Sequence, residues 1–65
     1  MKKEAEQHEV WIILVEMNEA VTEMRVETDA HFKSKRGNKA ALARARKHAL
    51  KLKSLITPFR RATRS

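Results

Sequence analysis

Lys35-Arg36-Gly37-Asn38 divides this 65-residue chain into two parts and contains the only glycine in the sequence. Gly37 can adopt the left-handed backbone conformation that ends a helix. Asn38 can begin a new helix by accepting a hydrogen bond from a free backbone amide. The sequence therefore predicts two helices joined by a tight turn over residues 35–38.

The first predicted helix covers about residues 4–34 and carries an apolar seam with alternating spacings of four and three residues. The seam consists of Val10, Leu14, Met17, Val21, Met24, Thr28 and His31. The apolar surface is widened by Trp11, Ile12, Ile13 and Val15. A single partner helix would not cover so wide a surface. Residues 10–15 alone could also form a buried strand, but their Glu-rich, helix-forming flanks favour a helix.

The second predicted helix begins at residue 39 and carries a seam with heptad spacing. The seam consists of Leu42, Ala45, Ala49, Leu52, Ile56 and Phe59. Its alanines would allow another backbone to come close. Pro58 has no amide hydrogen to donate, so we expect this helix to run to about residue 57 and to kink or restart at Pro58. Residues 62–65 should fray.

These features predict a single all-α domain over residues 1–65, folded as an antiparallel helical hairpin. A chain this short buries little surface, and two helices leave half of their apolar stripes in water. We therefore expect a homodimer that forms a four-helix bundle, with a higher oligomer as the alternative. Its oligomer core would comprise Val10, Trp11, Ile13, Leu14, Met17, Val21, Met24, Leu42, Ala45, Ala49, Leu52, Ile56 and Phe59.

The charges are divided unequally along the sequence. All eight acidic residues lie at or before Asp29, whereas eleven of the fifteen Lys and Arg residues lie in residues 35–65. Counting Lys and Arg against Asp and Glu, residues 1–34 carry −4 and residues 35–65 carry +11. The second half therefore has the charge expected of a polyanion-binding surface.

One row of cations recurs every seven residues along the second helix, at Lys39, Arg46, Lys53 and Arg60. Neighbouring cations on one helix repel each other, so stability alone would not favour this arrangement. Glu16, Glu23 and Glu27 could pair with these cations in a salt-bridged bundle, but the cations outnumber the acids. The candidate DNA-binding residues are Lys35, Arg36, Lys39, Arg44, Arg46, Lys47, Lys51, Lys53, Arg60, Arg61 and Arg64.

This basic surface offers few groups that read bases, because no Asn or Gln follows Asn38, which is used in the turn. Trp11 and Phe32 lie on the other helix, and we expect their rings to pack in the core. Base readout needs bidentate side chains, and single-strand binding needs exposed aromatic rings. We therefore expect binding to double-stranded DNA through its phosphates, without sequence preference. A folded RNA and an acidic protein partner are the alternatives.

Other functions are disfavoured by the composition. The chain has no Cys, and its three His residues lack the spacing of a metal site, so we expect no metal and no cofactor. No hydroxyl residue has a base and an orienting acid at a recognisable spacing, so we expect no enzyme and no small-molecule substrate. Residues 10–15 form an apolar run too short to span a bilayer, and the N-terminus does not read as a secretory signal. We expect a cytoplasmic, nucleoid-associated protein.

The residues from 36 to 61 also follow the pattern of a known family. The matching residues are Arg36-Gly37-Asn38-Lys39-Ala40-Ala41, Arg44-Ala45-Arg46-Lys47, Leu50, Leu52 and Phe59-Arg60-Arg61. This segment resembles the N-terminal domain of the linker-histone-like nucleoid proteins of chlamydiae, which have short relatives in other bacteria. The resemblance implies a self-associating, non-enzymatic helical domain that compacts DNA. It also implies DNA contacts by Lys39, Arg44, Arg46, Lys47, Arg60 and Arg61.

The sequence departs from this family in two respects. The second helix of the family usually mixes acids with bases, whereas residues 39–61 contain no acid. This difference strengthens the expectation that the folded domain itself binds DNA. Pro58 falls in a stretch that the family keeps helical. It leaves undecided the residue at which the second helix ends.

Overall fold

The computed structural model consists of two helices, α1 (Lys2–Lys33) and α2 (Lys39–Ala62). It describes the backbone of residues 2–64 and the side chains of residues 7–64. The helices pack against each other as a hairpin that measures 54 × 15 × 12 Å. This confirms the predicted all-α helical hairpin, while the homodimeric four-helix bundle stays a prediction. Neither helix, over the residues described, is long and apolar enough to cross a membrane.

The turn between the helices is held by hydrogen bonds among its own residues. Gly37 has a φ of 78°, in the left-handed region that favours glycine. Its N–H donates to the Ser34 carbonyl at 3.2 Å, and the Ser34 hydroxyl donates to the Gly37 carbonyl at 3.0 Å. The side-chain oxygen of Asn38 accepts from the Ala41 N–H at 3.0 Å, so Asn38 caps the start of α2.

His31 links the end of α1 to the beginning of α2. Its Nδ1 accepts a hydrogen bond from the Asn38 N–H at 2.8 Å. The His31 ring also meets Phe32 edge to face, with 4.9 Å between the ring centroids. A Cβ atom placed on Gly37 would lie 3.0 Å from His31 Cε1. Glycine is therefore favoured at residue 37 both by its backbone conformation and by the space that His31 leaves.

The core lies between the helices and consists mainly of small side chains. Its buried residues are Ile13, Ala20, Ala41 and Ala45, of which Ala41 is completely buried. Alanines on both helices let the two backbones approach closely, and this brings Ala20 of α1 toward α2. The inward side of α1 is therefore rotated slightly from the predicted seam, of which all members but Val21 stay half-buried. Ala20 replaces Val21, and Ile13 is more buried than Leu14.

The predicted oligomer core is divided by the hairpin. Ile13 and Ala45 are buried within it. Residues that are half-buried are Val10, Leu14, Met17, Met24, Leu42, Ala49, Leu52 and Phe59. Trp11, Val21 and Ile56 remain exposed, at 58%, 40% and 45%, and Phe32, also expected to pack in the core, is 76% exposed. Most of the predicted set therefore packs between the two helices of one chain, and a smaller part is left free at the surface.

Pro58 does not end α2, which continues through it to Ala62. The helix is continuous across Pro58, and the kink expected there as the alternative to a restart stays a prediction. A helical proline leaves the carbonyl four residues earlier, that of Ser54, without its usual donor. Both residues are exposed, so water can hydrogen-bond that carbonyl. After Ala62 the Thr63 hydroxyl donates to the Phe59 carbonyl at 2.8 Å, and Ser65 lies outside the described residues.

Candidate nucleic-acid interface

All the cations predicted to bind DNA lie on the surface of the hairpin. Lys35 and Arg36 lie in the turn between the helices, and Arg64 follows the end of α2. The other eight lie on α2 itself. Each of the eleven is exposed, because α2 directs Ala41, Ala45 and most of its larger apolar residues toward α1. The fold therefore leaves the basic half of the sequence accessible to a ligand.

The cations of α2 form two rows rather than one. Successive residues of an α-helix are rotated by about 100°, which gives the position of each side chain around the axis. The first row comprises Lys39, Arg46, Lys53 and Arg60. The second row comprises Arg44, Lys47 and Lys51. The heptad pattern predicted the first row, and the residues of the second row were also among the cations predicted to bind DNA.

A strip of mostly uncharged residues, here called the crest, separates the two rows. It consists of Ala43, Leu50, Ser54 and Thr57, and all four are exposed. Relative to Leu50, the first row lies roughly 20–80° to one side of the helix and the second roughly 60–120° to the other. Two cations lie on the line of the crest, Lys39 at the start of α2 and Arg61 near its end, so the uncharged part of the crest is its middle. The crest points away from α1 and is flanked by positive charge on both sides.

One predicted DNA contact is held by an acid of α1. The Arg44 Nε donates to Glu27 Oε2 at 2.6 Å, and the side chains are 53% and 16% exposed. Glu27 lies on the inward side of α1 because that side is rotated from the predicted seam. Arg44 is therefore less available to a polyanion than the other cations, although more than half of its side chain is in contact with water.

Among residues 7–64, no other cation of α2 has a carboxylate oxygen within 4.0 Å. Glu16 and Glu23, the other possible partners in a salt-bridged bundle, form no such pair. Asp29 instead pairs with Lys33 on its own helix at 2.8 Å, and this hydrogen bond raises the pKa of Lys33. The described acids therefore neutralise one α2 cation and leave both rows largely unpaired.

The described side chains, residues 7–64, contain no group of three His, Asp or Glu residues that could hold a metal ion. A surface groove lies along α1, away from the cations of α2, and is lined by Val21, Thr22, Met24, Arg25, Val26, Thr28, Asp29 and Phe32. The chemistry concentrated at the surface is therefore that of exposed ammonium and guanidinium groups on α2.

An exposed cationic helix on a small helical scaffold is typical of proteins that bind nucleic acids. The family model described as Histone H1-like protein Hc1 matches residues 14–63 of this chain, which include the turn and all of α2. The chain therefore belongs to this histone H1-like family, and the resemblance to linker-histone-like nucleoid proteins is confirmed. No match was found among curated proteins or among solved structures.

Membership in this family suggests a nucleoid DNA-binding protein. Histone-like families are in general non-enzymatic. The matched residues cover both rows and the crest, so the part of the chain that defines the family is also the part that carries the exposed positive charge.

Proposed function

We propose that this chain is a non-enzymatic, histone-like nucleoid protein that binds double-stranded DNA without sequence preference. The observation that carries the proposal is the pair of exposed cationic rows on α2, of which only Arg44 is paired with an acid among the described residues. A polyanion bound there would be held by phosphate contacts and by the release of condensed counterions. Family membership supports DNA as that polyanion.

The absence of sequence preference follows from the side chains beside the cations. Ala43, Leu50, Ser54 and Thr57 of the crest carry no amide, carboxylate or guanidinium that could make a bidentate contact with a base, and Arg61 reaches the line of the crest only near the end of α2. The Ser54 hydroxyl donates to the Lys51 carbonyl at 2.6 Å, so it is engaged within α2. Phosphate contacts would position α2 on any duplex, whatever its sequence.

Self-association is the second part of the proposal. Trp11, Ile12, Val15 and Val26 remain exposed on the side of α1 that faces away from α2. An exposed apolar surface of this kind is typical of a protein interface. A second copy would cover it in a homodimer of two hairpins, in which the two α1 helices make the contact, whereas the four-helix bundle expected from the sequence would share one core among all four helices.

The position of this apolar surface bears on how the dimer would compact DNA. If two copies meet through the outer side of α1, their α2 helices lie on opposite outer sides of the dimer. Each α2 could then bind a separate duplex, so bridging is favoured over coating or bending. A protein of this kind would be cytoplasmic and associated with the nucleoid.

Affinity measurements across a salt series test this proposal. The full chain is titrated with several unrelated DNA duplexes and with one folded RNA, and the oligomer mass is determined in the same buffers. We expect similar affinities for all duplexes and a slope of log affinity against log salt of about −5 or steeper, as for neutralisation of roughly six phosphates.

Two results would contradict the proposal. A strong preference for the folded RNA would favour an RNA-binding hairpin. No binding to any nucleic acid at physiological salt would favour an acidic protein partner. A monomeric mass at every salt concentration would remove the homodimer from the proposal.

A further inference from the structure

We infer that α2 lies in the major groove of duplex DNA with its crest toward the base pairs and Leu50 at the deepest point. This inference rests on the proposed function, since it describes how the same helix would bind DNA. It adds a contact to the base edges, made by an apolar side chain, to the phosphate contacts made by the two rows.

The starting observation is the exposure of Leu50 in the middle of a cationic surface. Leu50 is 66% exposed, more than any other large apolar residue of α2. Arg46 and Lys53 lie on one side of it in the first row, and Lys47 and Lys51 lie on the other side in the second row. These four cations lie within about 11 Å along the helix axis. An apolar side chain thus occupies the centre of the most basic part of α2.

This arrangement distinguishes two ways of placing a helix on DNA. A helix that lies across the outside of a duplex meets phosphates with the centre of its outer face, so cations would be expected there. A helix within a groove meets phosphates on both of its flanks, and its centre faces the bases. The outer face of α2 has cations on both flanks and a mostly uncharged crest between them, which is the pattern expected of a helix in a groove.

The dimensions favour the major groove. An α-helix with its side chains is about 10–12 Å across. The major groove is about 12 Å wide and admits a helix, whereas the minor groove, about 6 Å wide, does not. With Leu50 pointing into the major groove, the two rows would face the phosphates that border it on either side.

The crest also fits the chemistry of the groove floor. The C5-methyl group of thymine is the apolar feature that base pairs present in the major groove. Leu50 and the methyl groups of Ala43 and Thr57 can contact it without a hydrogen bond. Such contacts add affinity wherever a thymine lies beneath the crest, and they impose no strict sequence.

A protein surface is a less suitable occupant of the crest. Another α2 would bring like charges together, because Leu50 is surrounded by Arg46, Lys47, Lys51 and Lys53. Among the partners considered above, duplex DNA offers the methyl groups of thymine between two rows of negative charge. The charge on both flanks of Leu50 therefore favours DNA.

The experiment compares the wild type with Leu50→Ala, and with Phe32→Ala as the control. Phe32 is 76% exposed and lies at the end of α1, away from α2's crest, so its truncation removes an exposed apolar side chain of larger size. Each protein is titrated with one duplex that contains thymine and with the same duplex containing uracil, which lacks the C5-methyl group. Circular dichroism and oligomer mass are recorded for all three proteins.

We expect uracil to weaken binding of the wild type and of Phe32→Ala by roughly threefold to fourfold, the effect of about one buried methyl group. Leu50→Ala should show a clearly smaller difference between the two duplexes. Dimethyl sulfate footprinting of the wild type provides a second measurement that does not depend on any variant. It should show protection of guanine N7, which lies in the major groove, and no protection of adenine N3, which lies in the minor groove.

The outcomes separate this inference from the proposed function. Binding with equal affinity for both duplexes and without protection of guanine N7 would overturn the groove placement while leaving DNA binding intact. A lower oligomer mass for Leu50→Ala would assign Leu50 to a protein interface and would also overturn it. Absence of binding to either duplex would overturn the proposed function and this inference together.

Discussion

Replacing both Arg46 and Lys53 with Gln should reduce the dependence of DNA binding on salt. Both residues belong to the first row, are exposed, and have no carboxylate within 4.0 Å among residues 7–64. Each phosphate neutralised by a cation contributes about −0.9 to the slope of log affinity against log salt. Loss of two such contacts should make the slope less steep by about 1.8.

This slope change has a measurable consequence. Between 50 mM and 200 mM salt, the wild type should lose about twelvefold more affinity than the double variant. Fluorescence anisotropy with a labelled duplex, repeated at four or more salt concentrations, gives the slope for each protein. The loss should be similar for unrelated duplexes, because phosphate contacts carry no sequence information.

Arg25→Gln with Lys33→Gln is the matched control. This pair removes the same net charge from α1, and Lys33 is already paired with Asp29 at 2.8 Å. Its slope should remain close to that of the wild type. An equal reduction in both double variants would refute the reasoning, since net charge rather than the first row would then set the affinity. A loss confined to some duplex sequences would refute the absence of sequence preference.

Three further substitutions test the surface and the turn. Glu27→Gln should release Arg44 and make the slope of log affinity against log salt steeper by up to about 0.9. Glu19→Gln, which makes the same change of charge, should leave that slope unchanged. Equal slopes for the two variants would show that Arg44 makes no phosphate contact. Gly37→Ala should lower the free energy of unfolding by about 1–2 kcal/mol or more in a urea titration, since residue 37 has a positive φ and the added Cβ would meet a histidine ring. Asn38→Ala should lower it by about 1 kcal/mol through loss of the helix cap, and an unchanged midpoint would show that the cap is not needed.

The turn and the accessibility of the basic half could be anticipated because they depend on local chemistry. Gly37 has the positive φ and Asn38 the capping hydrogen bond that their positions in the sequence indicate. The cations are exposed because burying them unpaired would be costly. The additional role of His31, whose Nδ1 accepts from the Asn38 N–H, had no counterpart in sequence spacing. It depends on where the chain returns after the turn.

The inward side of α1 could not be derived with the same certainty. Apolar residues surround much of this helix near residues 10–15, so its periodicity is compatible with several rotations about the axis. Packing against the alanines of α2 selects the rotation that buries Ala20 and leaves Val21 exposed. The same rotation places Glu27 beside Arg44 and removes one cation from the free surface.

The sequence alone specifies two helices, the turn between them, the division of charge and the family to which the chain belongs. These properties follow from residue types and short spacings, which do not depend on the partner helix. Only the packed hairpin shows that Leu50 and the two rows of cations face away from α1, and that Arg44 is paired with Glu27. The reason is that helical periodicity gives the angles between side chains, whereas contact with the other helix determines which of those angles face inward.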